Sequence, residues 1–279
     1  MKRLYDQANQ RLVYVDQEAT SEFWDEHWSS YGHVSDTAHG VSQGLRKLLK
    51  PYFETNLVLK ISRKYLQDNA TVLEGGCGLG QNVVSLADTG YRAIGIDFAP
   101  RTVKSSLRLY PTLDIRVDDV RNTKFESASF DAYWSLGVIE HFFEGYLPIA
   151  NEMARLVRPG GYLFLTFPHM SKLRKWKAKR GYFPLLEISG APKGFYQFAL
   201  YPSDVIGVFE ERGFHLIEQR GIEGLKGIKD EIPIPKDVLQ KIYDSRLLLA
   251  SAFRYLIEPV LNSWAGHMSL LVMKRTGTE

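Results

Sequence analysis

The sequence predicts an α/β fold, an open doubly wound sheet with helices on both faces, and three observations carry the prediction. A short apolar run at 71–73 (Thr-Val-Leu) reads as a strand. Glycines alternate behind it at Gly76, Gly78 and Gly80, and a helical pattern (Asn82, Val83, Val84, Leu86, Ala87) starts at once and stops at Gly90. Apolar runs and helical patterns then alternate as far as residue 167, the mark of successive βαβ units. A chain of 279 residues has room for one sizeable α/β domain with appended elements, not for two full domains.

Composition narrows the class. A net charge of only +3 does not force a nucleic-acid partner, and none is expected. The single cysteine, Cys77, cannot form an internal disulfide, which suits a reducing cytoplasm. Inside the glycine turn it reads as a small residue chosen for space, since no cation beside it in sequence would activate a thiol. Met1-Lys-Arg-Leu-Tyr-Asp lacks the apolar run of a signal peptide. The longest apolar stretch, 247–261, is broken by Arg254, Glu258 and Pro259, short of the roughly 20 residues a spanning helix needs.

Taken in order, residues 1–50 are expected to form an N-terminal helical cap. Phe23, Trp24, His27, Trp28 and Tyr31 fall on one helical face, which either packs on the core or covers the site, and both hold together. His27, His33 and His39 match no metal-ligand spacing, and no metal is expected. An amphipathic helix at 54–66 ends at Asp68-Asn69 and leads into the first strand of the sheet. The second strand, 91–97, closes on Asp97. Pro100 then starts a helix over 101–109. Strands follow at 113–117 and 129–135, a helix at 146–157, and a strand at 162–167. Ser203-Asp204 caps a helix to Arg212, a strand covers 213–219, a helical insertion covers 236–262, and the last strand is 267–274.

The ligand of the glycine turn is set by spacing. A dinucleotide fingerprint G-x-G-x-x-G counted from Gly76 puts Gln81 where its third glycine belongs, and a P-loop would need a lysine that is missing. The residues present are Glu74, Gly76, Gly78 and Gly80, followed by an acid, Asp97, placed to accept both hydroxyls of a ribose.

In these residues, and in Ser-Phe-Asp at 129–131, Glu-His-Phe at 140–142 and Arg-Pro-Gly-Gly-Tyr-Leu-Phe-Leu at 158–165, the chain resembles the class I S-adenosylmethionine (SAM)-dependent methyltransferases. The likeness is to their small-molecule subgroup and covers roughly 54–167. It implies a three-layer sheet of seven strands, mostly parallel with an antiparallel last strand, plus N-terminal helices and a C-terminal helical insertion. In domain terms, 51–279 is the SAM-binding domain, with a lid insertion at 170–202 and a helical insertion at 225–264. The cofactor implied is SAM, with S-adenosylhomocysteine as product. Glu74 and the glycines would seat its methionine end, Asp97 its ribose and Phe98 the nucleoside. Asp119 would accept from the adenine amino group beside the Val120 N–H, with Asp118 as the register alternative, and Ser135 closes the fourth strand on the same side.

Methyl transfer to a hydroxyl or an acidic carbon gains from a base. His141, just past the fourth strand, leads and His169, just past the fifth, is second, against the reading of each as a histidine satisfied by backbone. Glu140 lacks a second carboxylate at a spacing that would hold a metal. Beyond residue 168, Lys172, Arg174, Lys175, Lys177, Lys179 and Arg180 surround Trp176 without an acid. This tract is a solvated loop, a cover that attracts an anionic acceptor through Lys175, Trp176 and Tyr196, or, together with the apolar helix at 238–261, a contact with the membrane surface. The expectation is a cytoplasmic methyltransferase, peripheral to a membrane in the last case, acting on a small-molecule or lipid- or glycan-linked acceptor, with O-methylation favoured. The alternative is a non-catalytic SAM-binding module that docks a protein partner. A nicotinamide oxidoreductase is opposed by the glycine spacing, and the sequence leaves the oligomeric state open.

Overall fold

Neighbouring residues along the central strands are both buried: Val72 with Leu73, Tyr133 with Trp134, Phe164 with Leu165, and Leu271 with Val272. Side chains alternate across a strand, so a sheet of such strands must be covered on both faces. The computed structural model, which describes residues 1–31, 56–187, 190–232 and 248–277, has that architecture. Its strands are β1 (Lys2–Asp6), β2 (Arg11–Val15), β3 (Thr71–Gly75), β4 (Arg92–Asp97), β5 (Asp114–Val117), β6 (Phe130–Leu136), β7 (Val157–Pro168), β8 (Phe195–Ala199), β9 (Phe214–Ile222) and β10 (Met268–Arg275). Its helices are α1 (Ser21–Tyr31), α2 (Leu57–Tyr65), α3 (Gln81–Ala87), α4 (Pro100–Leu109), α5 (Leu147–Leu156), α6 (Lys172–Lys179), α7 (Pro202–Glu210), α8 (Gly224–Glu231) and α9 (Leu248–Ala265).

The main sheet has seven strands in the order β5-β4-β3-β6-β7-β10-β9. β10 runs antiparallel to both its neighbours, and the pairs from β5 to β7 are parallel. One face packs Ile149 and Met153 of α5 and Val205 and Phe209 of α7 against Leu73, Tyr133 and Leu165. The other packs Val58 and Ile61 of α2 and Leu86 of α3 against Val72, Trp134 and Phe164. Strand order reverses between β3 and β6, which opens a crevice at their carboxyl ends.

A second sheet corrects the helical reading of residues 1–50. β1, β2 and β8 form an antiparallel three-stranded sheet, so within this span only Ser21–Tyr31 is helical among the described residues. The run Leu12-Val13-Tyr14-Val15 is β-branched and aromatic, as a strand prefers. Asp6 fixes the preceding turn by accepting from Asn9 N, Asn9 Nδ2 and Arg11 Nε at 3.1, 2.8 and 3.0 Å. This sheet joins the N-terminal segment to the 170–202 insertion, which supplies α6 and β8. The insertion at 225–264 holds most of α8 and α9. Residues 54–55 of the first expected helix, 236–247 of the last one, His33, His39 and the side chain of Tyr31 lie outside the described residues. α7 begins at Pro202 with Tyr201 as its N-cap, ahead of the expected Ser203-Asp204 cap.

Candidate active site

A cavity of about 490 Å³ lies at the carboxyl ends of β3, β4 and β6, within the roughly 300–1,000 Å³ of small-molecule sites. It is lined by Gly76, Asp97, Phe98, Asp119, Val120 and Arg121, and by Trp24, Glu140, His141, Phe142, Tyr196 and Lys226, with Arg121 lying over the Phe142 ring.

The glycine turn joins β3 to α3 in left-handed backbone, with φ of +74° at Gly76, +52° at Gly78 and +77° at Gly80. A β-carbon on Gly76 would meet Val138 Cγ2 at 2.6 Å, and one on Gly80 would meet Ile115 Cδ1 at 2.4 Å. The turn spends its donors internally: Gly76 and Cys77 donate to Ile96 O, Gly80 to Cys77 O, and Gly78 to Asp97 Oδ2 at 2.9 Å. Asp97 Oδ1 accepts from Ala99 N at 2.9 Å. Burial raises the Asp97 carboxyl, and each oxygen keeps a second lone pair toward the cavity it lines. Cys77 is buried against Val83 and Ile115, and burial pushes its thiol up, as expected of a space-filling residue.

Glu74 is buried behind the turn, where burial pushes its carboxyl up to about 8, and, like Gly78 and Gly80, it does not line the cavity. Oε1 accepts from Asn82 Nδ2 at 2.8 Å and Oε2 has no partner. In the loop after β5, Asp118 accepts from Asp119 N and Lys124 N, which ties it to its own turn. Asp119 faces Arg121 Nη2 at 2.6 Å, and both line the cavity. Ser135 is buried within β6 and does not line it; Leu136, Gly137 and Val138 do.

Over the opening lies α1. Asp25 fastens it to the start of α4 by accepting from Thr102 N at 2.7 Å, Thr102 Oγ1 at 2.9 Å and Arg101 Nε at 3.1 Å. Its stripe of Trp24, His27 and Trp28 thereby faces the cavity.

His141 ends a short 3₁₀ turn, Ile139–His141, and sits among the rings of Trp24 and Tyr196 with centroids 5.1 and 5.0 Å away. Its Nδ1 is 2.7 Å from the Tyr196 carbonyl, and a carbonyl only accepts, so Nδ1 carries the proton and Nε2 keeps its lone pair. Burial pulls its pKa down to about 4, so the ring is neutral at pH 7. His169 is different: it does not line the cavity, and its Nδ1 is buried without a partner.

The basic tract folds away from the site. Arg174 is buried and donates to Glu231 Oε1 at 2.9 Å, and Lys177 pairs with Glu231 Oε2 at 2.9 Å. Lys175 lies over the Tyr201 ring, and Trp176 stacks on Tyr182. Neither lines the cavity, whereas Tyr196 does. Besides Arg121, Lys226 lines it, paired with Glu223 Oε2 at 3.1 Å, and so do His267 and Met268. No local signal marked these three, because they reach the site from beyond the motif-rich span.

A family model described as a methyltransferase domain matches residues 73–165. A probable S-adenosylmethionine-dependent methyltransferase of Mycolicibacterium smegmatis is 35% identical over 98 residues, 35% of this chain and 38% of that protein. A ubiquinone biosynthesis O-methyltransferase of Xanthomonas axonopodis pv. citri is 36% identical over 111 residues, 38% of this chain and 46% of that protein. The chain thus spans less than half the length of each. A SAM-dependent methyltransferase structure from Methanosarcina mazei shares the fold with a TM-score of 0.55 at 15% identity, over 78% of this chain and 98% of that one.

Proposed function

We propose that this chain, which carries a class I SAM-dependent methyltransferase domain, transfers the methyl group of SAM to an oxygen of a small-molecule or lipid- or glycan-linked acceptor. The observation that carries the reading is one cavity lined by Asp97, Asp119 and His141 together.

The residues fit the cofactor. The left-handed backbone of Gly76 borders the cavity, Asp97 keeps a lone pair on each oxygen for ribose hydroxyls, and Glu74 would act on the methionine end through the turn it braces from behind. Phe98 and the Val120 N–H would flank the adenine, with Asp119 accepting from its amino group. SAM supplies a methyl already activated on a sulfonium, which leaves alignment and exclusion of water to the protein. Such positioning is worth on the order of 7–11 kcal/mol. Trp24 and Tyr196 wall off water around His141, and His141 takes the acceptor proton at Nε2. The O-methyltransferase relative favours oxygen over nitrogen as the acceptor atom.

Among the described residues, no helix is long and apolar enough to cross a membrane. A peripheral contact, from the cytoplasmic side, is part of this reading. Lys172, Trp176, Lys179 and Arg180 recur along the exposed face of α6 and its end, with exposed Tyr182 and Leu185 following. Each cation near an anionic lipid surface adds about 1 kcal/mol. Co-sedimentation with phosphatidylserine vesicles tests it, and equal binding to neutral vesicles would defeat it.

For the reaction itself, SAM carrying a labelled methyl is incubated with the protein and a metabolite extract, and products heavier by one methyl are sought. Label appearing in a hydroxyl-bearing acceptor supports the proposal. Tight S-adenosylhomocysteine binding without transfer to any acceptor would favour a cofactor-binding module that docks a protein partner.

A further inference from the structure

We propose that Glu140 positions the acceptor, offering its free Oε2 to an oxygen of the incoming molecule. The inference rests on the methyltransferase reading and names what the acceptor presents to that end of the site. Glu140 is 1% exposed yet lines the cavity, and its Oε2 is buried without a hydrogen-bond partner. A buried polar atom left unpaired costs about 1–3 kcal/mol, a cost a bound ligand would relieve. Gly137, in left-handed backbone at φ +70°, follows β6 and lines the same cavity.

The carboxyl meets a ligand as a neutral acid. Burial pushes it up to about 8, opposed only by a hydrogen bond from its own backbone N–H, so no cation stabilises the ionised form. The other titratable groups lining the cavity are Asp97, Asp118, Asp119, Arg121, His27, His141, Tyr196, Lys226 and His267, and Arg121 and Lys226 are paired with Asp119 and Glu223. Burial lowers all three histidines, so none of them gains or loses a proton near 8. Glu140 therefore donates an O–H, which selects a carbonyl, phenolate or carboxylate oxygen over an ammonium.

Two ring probes separate the classes: benzoate, which offers only acceptor oxygens, and benzylammonium, which offers only donors. Binding is measured by equilibrium dialysis with protein saturated in S-adenosylhomocysteine. Benzoate should bind more tightly at neutral pH and weaken as pH rises through about 8, where the donor proton is lost. Glu140→Leu should weaken benzoate about tenfold, and Glu140→Gln, which keeps an N–H donor, should retain affinity without the pH dependence. S-adenosylhomocysteine affinity should be unchanged in both variants, which excludes collapse of the site. Preference for benzylammonium, pH-independent benzoate binding, or no benzoate binding would overturn the proposal. Failure of S-adenosylhomocysteine itself to bind the native protein would instead overturn the methyltransferase reading beneath it.

Discussion

The indole of Trp28 closes over Gly78: a β-carbon built on that glycine would lie 2.8 Å from Trp28 Cε2 and Cζ2. The lid helix and the glycine turn are therefore shaped to each other, although 50 positions of sequence separate the two residues.

Gly78→Ala should weaken S-adenosylhomocysteine binding by more than tenfold and shift tryptophan fluorescence as Trp28 is displaced. Two costs combine, the ring collision and a left-handed alanine at φ +52°, the latter roughly 1–2 kcal/mol. Adding Trp28→Ala should relieve the collision and leave the backbone cost. Calorimetry on the single and double variants checks this, and identical losses in both would show that Trp28 does not press on the turn.

Asp25 holds that lid by its three hydrogen bonds to Arg101 and Thr102. Burial alone would raise its carboxyl, but those bonds outweigh burial and hold it below the usual range. The stabilisation is therefore complete above the unfolded carboxylate pKa and is lost as pH falls through the lower folded one. Asp25→Ala should cost about 1–2 kcal/mol, the worth of a helix N-cap. Hydrogen exchange at the Thr102 amide should quicken in the variant, and unchanged protection would contradict the latch.

His141 separates two roles that one substitution can tell apart. Asparagine can still donate to the Tyr196 carbonyl but cannot take a proton, so His141→Asn should keep S-adenosylhomocysteine affinity and lower kcat by about 10²-fold or more. Because the ring titrates at about 4, native activity should hold on the acid side until pH approaches that value. A kcat within threefold of native in the variant would make His141 a structural histidine.

Local motifs made much of the site legible. The run from Thr71 to Asp97 sets strand, turn and helix by residues adjacent in sequence, and Gly76, Asp97, Phe98, Asp119, Val120, His141 and Tyr196 all line the cavity. Pairings made across the chain were not legible. β2 pairs with β1 and also with β8, whose Phe195 stands opposite Val15 from 180 positions away in sequence. The cations at 172–180 looked unpaired because their counter-charge, Glu231, stands 57 positions after Arg174. Lys226 and His267 enter the acceptor end the same way, from elements that only the folded sheet brings close.

That hidden counter-charge yields the sharpest stability test. Glu231 is buried between Arg174, Lys177 and Arg3, at 2.9, 2.9 and 2.6 Å. Burial works to raise its carboxyl, but Arg174 foremost, with Lys177 and Arg3, outweighs burial and holds it below the usual range. Its contribution is thus present above the unfolded carboxylate pKa and fades as pH falls through the folded one. Glu231→Gln would leave these cations without their shared anion, and breaking a buried pair from one side costs about 3–5 kcal/mol. Lys179→Ala on the exposed face should leave stability within about 0.5 kcal/mol. Urea unfolding of the two variants decides the matter: equal midpoints would mean that the tract is a solvated loop after all, whereas loss confined to Glu231→Gln makes it a strut behind the acceptor wall.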